Sequence, residues 1–507
     1  MSSVAVLGLL AALLLSTLSY VWCLPSNKRR LPGPKPKILI GNLIDLPSGG
    51  HEWIQYAALA RKYASDVLYF TVLGTPLLVI NSFEAARELL DKRGAVYSDR
   101  PRLVMIKELM EWDWNVALMS YGKRFSAYRR AVQQEFQPTV IAQSYHQVIV
   151  REIAAFLGRV LETPDSLVDH LKHMTGAIIM MVAYGHQVKS VDDPFIAMNE
   201  AVREHAEEHP GVALVDVFPI LKYLPTWFPG ASFQRAAAIG RELSIRMRVE
   251  PYNMVKARTE SGNAIPCMAT KLLSQDPPLE EASNDEFVKN CCAVVYSAGA
   301  DTTAAALRNF TLAMFVYPDV QRRAQEELDR VVGRDRLPTF QDQAKLPYVL
   351  KVMKESLRWR AMSPLGVPHA TLEDDEFQGG YIPKGTTVLA NIYPCTRNPD
   401  SFNPDRYLPT PEKPDGEPDP ARAAFGFGRR ICPGRFFAED SLFLTIASML
   451  HVFTISHPES LSGNDALEGI TWSSGLVSHP SAFAVNFTPR FHSAPDVVRA
   501  AQTSRDA

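Results

Sequence analysis

No Cys-x-x-Cys pair occurs in the 507 residues. The six cysteines (Cys23, Cys267, Cys291, Cys292, Cys395 and Cys432) are scattered, and only Cys291 and Cys292 adjoin. This spacing indicates neither a zinc ribbon nor a disulfide-stapled scaffold, and it places the body of the chain in a reducing compartment. Net charge is also nearly absent. Fifty-three Lys and Arg oppose 55 Asp and Glu, a balance of −2 that gives no footprint for nucleic acid. No internal repeat is visible. No dinucleotide loop is present either: Gly426-Phe427-Gly428 lacks the flanking strand and the third glycine. Any flavin or nicotinamide chemistry must therefore come from another protein.

Charge is missing altogether from Val4 to Leu24, an apolar run of 21 residues with no Lys or Arg before it and Lys28, Arg29 and Arg30 just after it. As a helix it would be roughly 30 Å long, enough to cross a hydrocarbon core. The basic cluster then sets the remainder of the chain on the cytoplasmic side. A cleaved signal peptide is the other reading, but there is no basic n-region and no small-residue cleavage site. Leu31-Pro32-Gly33-Pro34-Lys35-Pro36 follows as a stiff spacer. The expected organisation is a membrane anchor over 1–25, a basic and proline-rich linker over 26–36, and one large domain over 37–507.

Within that domain, Trp53 to Tyr63 reads as a helix. Val67 to Asn81 reads as a strand pair turning at Gly74-Thr75-Pro76, and Ser82 to Arg93 reads as a second helix. From there to about Val332 the pattern is mainly helical. It is interrupted at His209 to Pro229, where four prolines stand among large apolar residues in a loop suited to a greasy contact. The tail after Pro495 is small and polar and reads as frayed. The fold class expected is mainly α with small β-sheets.

Three constellations carry chemistry. The first is Phe425-Gly426-Phe427-Gly428-Arg429-Arg430-Ile431-Cys432-Pro433-Gly434, ahead of an apolar helical stretch, Phe436 to Val452. A thiolate ligates iron well when backbone N–H groups, positive charge and a helix N-terminus keep it anionic and dry, and this decapeptide offers all three. The second is Ala298-Gly299-Ala300-Asp301-Thr302-Thr303, inside the helical run Asn290 to Val316. Its small residues leave room for a flat cofactor, and a threonine hydroxyl can bond its own helix carbonyl and loosen the ladder. A small-residue face for helix packing is the competing reading. The third is Glu355-Ser356-Leu357-Arg358, with both charges on one helix face, followed by Phe402-Asn403-Pro404-Asp405-Arg406.

The pattern Phe-x-x-Gly-x-Arg-x-Cys-x-Gly, with the other two motifs in order, resembles the cytochrome P-450 family of haem-thiolate monooxygenases, and the resemblance covers the whole chain. It implies haem b with Cys432 as the axial ligand of its iron. Phe425 would keep the sulfur dry, Gly428 would make the turn, and Gly434 would let a helix approach the haem. Arg430, Arg129 and His369 would serve the propionates. Thr302 becomes the proton-relay hydroxyl and Asp301 its acidic partner. Glu355, Arg358 and Arg406 become a structural clamp. The family's usual tryptophan in the Tyr121 to Arg130 segment is Phe125 here, and the stretch between Gly385 and Phe402 is shortened.

The activity implied is insertion of one oxygen atom from O2 into a hydrophobic small molecule. NADPH would supply the electrons through a separate flavoprotein reductase docked on basic residues such as Arg129, Arg130, Arg429 and Arg435. The flavour resembles fungal specialised metabolism of terpenoid or polycyclic substrates. Xenobiotic or fatty-acid oxidation and a non-catalytic haem carrier are the alternatives. The implied location is the endoplasmic reticulum membrane, with one span and a cytosolic catalytic body. Substrate contacts are expected from Arg102 to Ala117, the helix before Thr302, Ser363 to Val367, and the tip Gly475-Leu476-Val477.

Two patterns are set aside. His205-Ala206-Glu207-Glu208-His209 matches a zinc-protease motif, but Pro210 ends the helix at once and the surroundings are charged. Asn309 and Asn486 match a glycosylation pattern that a cytosolic body would never expose to the machinery.

Overall fold

The computed structural model describes residues 29–503, apart from 191, 209–213, 277–282, 396–400, 412, 415 and 460. The candidate span at 4–24 lies outside the described residues. Among the described residues, no helix is long and apolar enough to cross a membrane.

Numbering the longer helices in chain order, the body contains α1 (Glu52–Lys62), α2 (Lys123–Glu135), α3 (His146–Glu162), α4 (Leu167–Tyr184), α5 (Pro194–Glu208), α6 (Ser232–Glu260), α7 (Asn284–Val316), α8 (Pro318–Val331), α9 (Pro347–Trp359), α10 (Arg435–Val452) and α11 (Ala494–Thr503). The strands are β1 (Val67–Val72), β2 (Thr75–Ile80), β3 (His369–Ala370), β4 (Asp375–Phe377), β5 (Gly380–Ile382), β6 (Thr387–Ala390), β7 (Phe453–Ser456) and β8 (Asn486–Pro489). They form one sheet in the order β1-β2-β6-β3 and two hairpins, β4-β5 and β7-β8. The β1-β2 turn falls on Leu73 and Gly74, both with positive φ, so Thr75 and Pro76 already lie in β2 and the turn comes one residue earlier than the sequence suggests.

The 33-residue α7 is the axis of the core. Ser283 caps it by accepting from the Glu286 N–H, Asp285 and Glu286 favour its N-terminal dipole end, and Pro318 follows its last turn. α4 crosses it closely. A Cβ on Gly299 would stand 2.7 Å from Ile179 Cδ1, and Thr175 donates its hydroxyl to the Ala300 carbonyl at 2.7 Å. Gly299 therefore serves helix packing, a correction to the expectation that it makes room for a cofactor.

Two more expectations change. As far as Thr503 the tail is α11 rather than a frayed end; residues 504–507 lie outside the described residues. Ala494, Val497 and Val498 are buried, and Gln502 donates to the Ala154 carbonyl of α3 at 3.3 Å. Its i, i+3, i+4 apolar spacing carried that signal. The Ser82 to Arg93 helix is a short α-turn over Phe83–Ala86 that widens into a π-helix over Arg87–Lys92, which brings the Leu90 carbonyl against Gly428.

Candidate active site

The Cys432 loop is shaped by its glycines. Gly426 and Gly428 take φ of +76° and +53°, and a Cβ on Gly428 would fall 2.1 Å from the Leu90 carbonyl oxygen. The Gly428 N–H donates to the Asp91 carboxylate, and the Cys432 N–H donates to the Phe425 carbonyl at 2.8 Å. Phe425 is buried beside it. Burial pushes the Cys432 thiol above its usual pKa, while the Gly434 N–H, Arg129 and Arg435 pull it back. The chain alone leaves the sulfur short of a standing thiolate, so a bound metal cation is the group that would hold it ionised. Its chain neighbours apart, no described residue comes within 4 Å of where a Cβ on Gly434 would stand.

A second group of side chains supplies positive charge. Arg430 is buried, donates to the carbonyls of Ser98 at 2.8 Å and Met119 at 2.7 Å, and stacks 3.7 Å from the centroid of Phe125. Phe125 thus takes up the arginine with its ring face where the expected tryptophan would also offer an N–H. Arg100, absent from the sequence reading, donates to the carbonyls of Ala117, Val367 and Pro368 at 2.7 to 2.9 Å. Burial and the nearby Arg430 push its pKa well below the usual guanidinium range, with Asp99 opposing. His369 Nδ1 lies 2.8 Å from the Tyr97 carbonyl, and burial, then Arg100, lower its pKa to about 3. Arg129 on α2 is mostly buried close to Cys432, and no hydrogen bond or ion pair joins it to another described residue. Arg100, Arg430 and His369 are likewise partnered by carbonyls, not carboxylates. The only clue to Arg100 was its place before Pro101, which is weak.

On α7, Thr302 Oγ1 donates to the Ala298 carbonyl at 2.9 Å, the ladder-loosening bond expected of it. Ala298 is exposed, although Cys291 to Tyr296 and Ala304 to Val316 are buried throughout. The middle of the central helix therefore faces space that protein does not fill, on the Ala298 and Thr302 side. Asp301 lies elsewhere on the turn, with its Oδ1 3.4 Å from Asn199 Nδ2 of α5.

The third constellation closes completely. Glu355 is fully buried. Its carboxylate accepts from Arg358 Nε at 2.7 Å and Nη2 at 2.8 Å, Arg406 Nε at 3.0 Å, the Asn403 N–H at 2.6 Å and the Tyr407 hydroxyl at 3.1 Å. Asn403 and Tyr407 were missed, although both lie in the run that carries Arg406.

The remaining candidates are quickly placed. Among the described residues no cluster of three or more His, Cys, Asp or Glu could hold a metal ion; His209 lies outside them. Asn309 is fully buried and accepts from Trp472 Nε1 at 3.1 Å, so it cannot carry a glycan. Residues 104–109 of the Arg102 to Ala117 segment form a π-helix, and the Met105 N–H donates to Asp216 at 2.9 Å, tying the segment to the stretch before α6. The shortened stretch between Gly385 and Phe402 includes β6, and residues 396–400 lie outside the described residues.

The family description Cytochrome P450 matches residues 31–487, nine-tenths of the chain. The chain belongs to the cytochrome P450 family. Cytochrome P450 monooxygenase 208 of Postia placenta is 38% identical over 485 residues, covering 94% of this chain and 93% of its own. Cytochrome P450 monooxygenase claR of Ampulloclitocybe clavipes is 39% identical over 480 residues, covering 92% and 88%. Tryptamine 4-monooxygenase of Psilocybe cyanescens is 36% identical over 484 residues, covering 92% and 95%. Membership in this cytochrome P450 family brings haem with a cysteine thiolate ligand and electrons supplied by a reductase. The residues present fit that group: a half-buried thiol beside Arg129 and Arg435, an unfilled face on α7, and more cations than the nearby Asp99 can balance.

Proposed function

We propose that the protein is an NADPH-dependent, membrane-anchored monooxygenase of fungal specialised metabolism, acting on a hydrophobic terpenoid or polycyclic small molecule. The observation that carries the reading is the half-buried Cys432 thiol between the Gly434 N–H, Arg129 and Arg435. The relatives support the metabolic setting, since one of them is a tryptamine 4-monooxygenase.

When bound, haem supplies activation of O2 at its iron. Cys432 would hold the iron from one side. Arg129 and Arg100 would neutralise the propionates, with Arg430 adding charge beside them and His369, neutral in the haem-free chain, placed to take up a proton next to one of them. Thr302 would hold a proton at Oγ1, directed by the Ala298 carbonyl, and Asp301 would resupply it from the α5 side.

Electrons would arrive on the face of α2. A cleft of about 400 Å³ there is lined by Arg129, Arg130 and Arg429, complementary to an acidic flavoprotein reductase. The apolar run at 4–24 supports one span in the endoplasmic reticulum membrane with the body in the cytosol. The stretch between α5 and α6 supports the same placement, because Leu214, Ile220, Tyr223 and Trp227 are all at least 68% exposed.

Co-expression with a reductase tests the reading. NADPH consumption should rise on adding terpenoid or polycyclic candidates, with a hydroxylated product. Haem binding with no substrate-dependent NADPH use would leave a carrier instead.

A further inference from the structure

The first described residues do not hang free. The Tyr381 N–H of β5 donates to the Arg29 carbonyl at 3.0 Å, and the Tyr69 N–H of β1 donates to the Pro32 carbonyl at 2.8 Å. Leu31 is buried, and a Cβ on Gly380 would overlap it at 2.6 Å. The segment expected to act as a spacer is therefore laid between the β4-β5 hairpin and the β1 edge of the sheet.

That docking builds a cleft of about 600 Å³ between the segment and the C-terminal half of α1. Such a volume suits a small ligand or a lipid headgroup. Arg29, Arg30 and Arg61 line it, with Asp66 as the only acid. None of the three guanidinium groups has a hydrogen-bond or ion-pair partner among the described residues. Asn81 and Gln378 complete the polar wall. Three exposed arginines lining one cleft are matched to an oxyanion, for which guanidinium forks are suited.

Location decides the source of the anion. Arg29 follows Leu24, the last residue of the uncharged apolar run, by five residues, a reach of at most about 18 Å. That is enough to reach the headgroup layer at the edge of the hydrocarbon core.

We propose that this cleft binds the net-negative headgroup of an anionic phospholipid, fixing the body relative to the bilayer. The proposal rests on the membrane-anchor reading above. It differs from simple attraction of a polybasic segment, because Arg61 belongs to α1 and not to the basic cluster at 28–30.

The test uses the full chain in nanodiscs containing spin-labelled phosphatidylserine or spin-labelled phosphatidylcholine, reading the motion-restricted fraction. Phosphatidylserine should be preferred. Arg61→Ala and Arg30→Ala should each reduce the preference about tenfold, the loss of one charge-assisted hydrogen bond inside the cleft. Lys62→Ala, a neighbouring charge outside the cleft, should leave it unchanged. An Arg61→Ala variant that behaves like Lys62→Ala would reduce the effect to a linear basic segment and overturn the cleft. Displacement of the restricted lipid by inorganic phosphate would make the site one for free anion and overturn the lipid assignment. Flotation with neutral vesicles after a carbonate wash separates the two readings. A chain that floats without preferring phosphatidylserine overturns the cleft alone, and a chain that does not float overturns the anchor and the cleft together.

Discussion

Around Glu355 the two signs of charge meet in direct hydrogen bonds, while around Arg100, Arg129 and Arg430 cations outnumber the one nearby acid, Asp99, which bonds to none of them. The Glu355 carboxylate is shared by two guanidinium groups, a backbone N–H and a hydroxyl, so nothing from outside is required. The second region keeps its cations on carbonyls, or in the case of Arg129 on no described partner. Burying charge this way is costly unless an anion arrives. The difference separates scaffold from binding site: a network that closes on itself holds the fold, and one that stays open in sign awaits a ligand.

Breaking the closed network should have the largest effect. Glu355→Ala strands two buried guanidinium groups at a cost of about 3–5 kcal/mol, a large part of a domain's stability. Little folded protein should be recovered, with Glu355→Gln intermediate; an unchanged thermal melt would show that the network is not structural. Next is Thr302→Ala, expected to lower product formation about 100-fold with the haem spectrum retained and Thr302→Ser restoring much of the rate. Equal product from the alanine variant would put the relay elsewhere.

Arg129→Ala probes the open region. Loss of one charged hydrogen bond, about 1.5–3 kcal/mol, should weaken haem retention roughly tenfold or more, while exposed Arg130→Ala on the same helix should not. Haem transfer to apomyoglobin measures it, and equal loss rates for the two variants would refute the distinction.

Acidification gives the smallest effect. The folded haem-free chain holds His369 at a pKa of about 3, so the unfolded chain binds the extra proton below pH 6.5. Stability is therefore full above pH 6.5 and lost as pH falls toward 3. His369→Gln should remove about 1.4 kcal/mol of that loss at pH 5.5, read by urea unfolding. The gain should shrink in the haem-loaded protein, where a propionate offsets Arg100 and Arg430. Identical gains with and without haem would mean no propionate faces His369.

Motif residues were legible because spacing along a helix or a turn defines them. Cys432 with its glycines, Thr302 with Ala298, and Glu355 with Arg358 each interact within a few residues. Arg100 was not legible, since its partners at Val367 and Pro368 lie more than 260 residues away and are carbonyls that any residue could offer. Gly299 was misread for the same reason: Ile179, the atom it makes room for, belongs to another helix. The helix at 494–503 was masked by small polar composition, although its buried face follows helical spacing.

The central claim is that Cys432 binds haem iron as a thiolate in a pocket the chain leaves positive. The most direct measurement is the reduced carbon-monoxide difference spectrum of wild type beside Cys432→Ser. The account predicts a thiolate-type Soret band for wild type and its loss in the serine variant. A thiolate-type band that survives the substitution, or stoichiometric zinc with no Soret band in wild type, would contradict it.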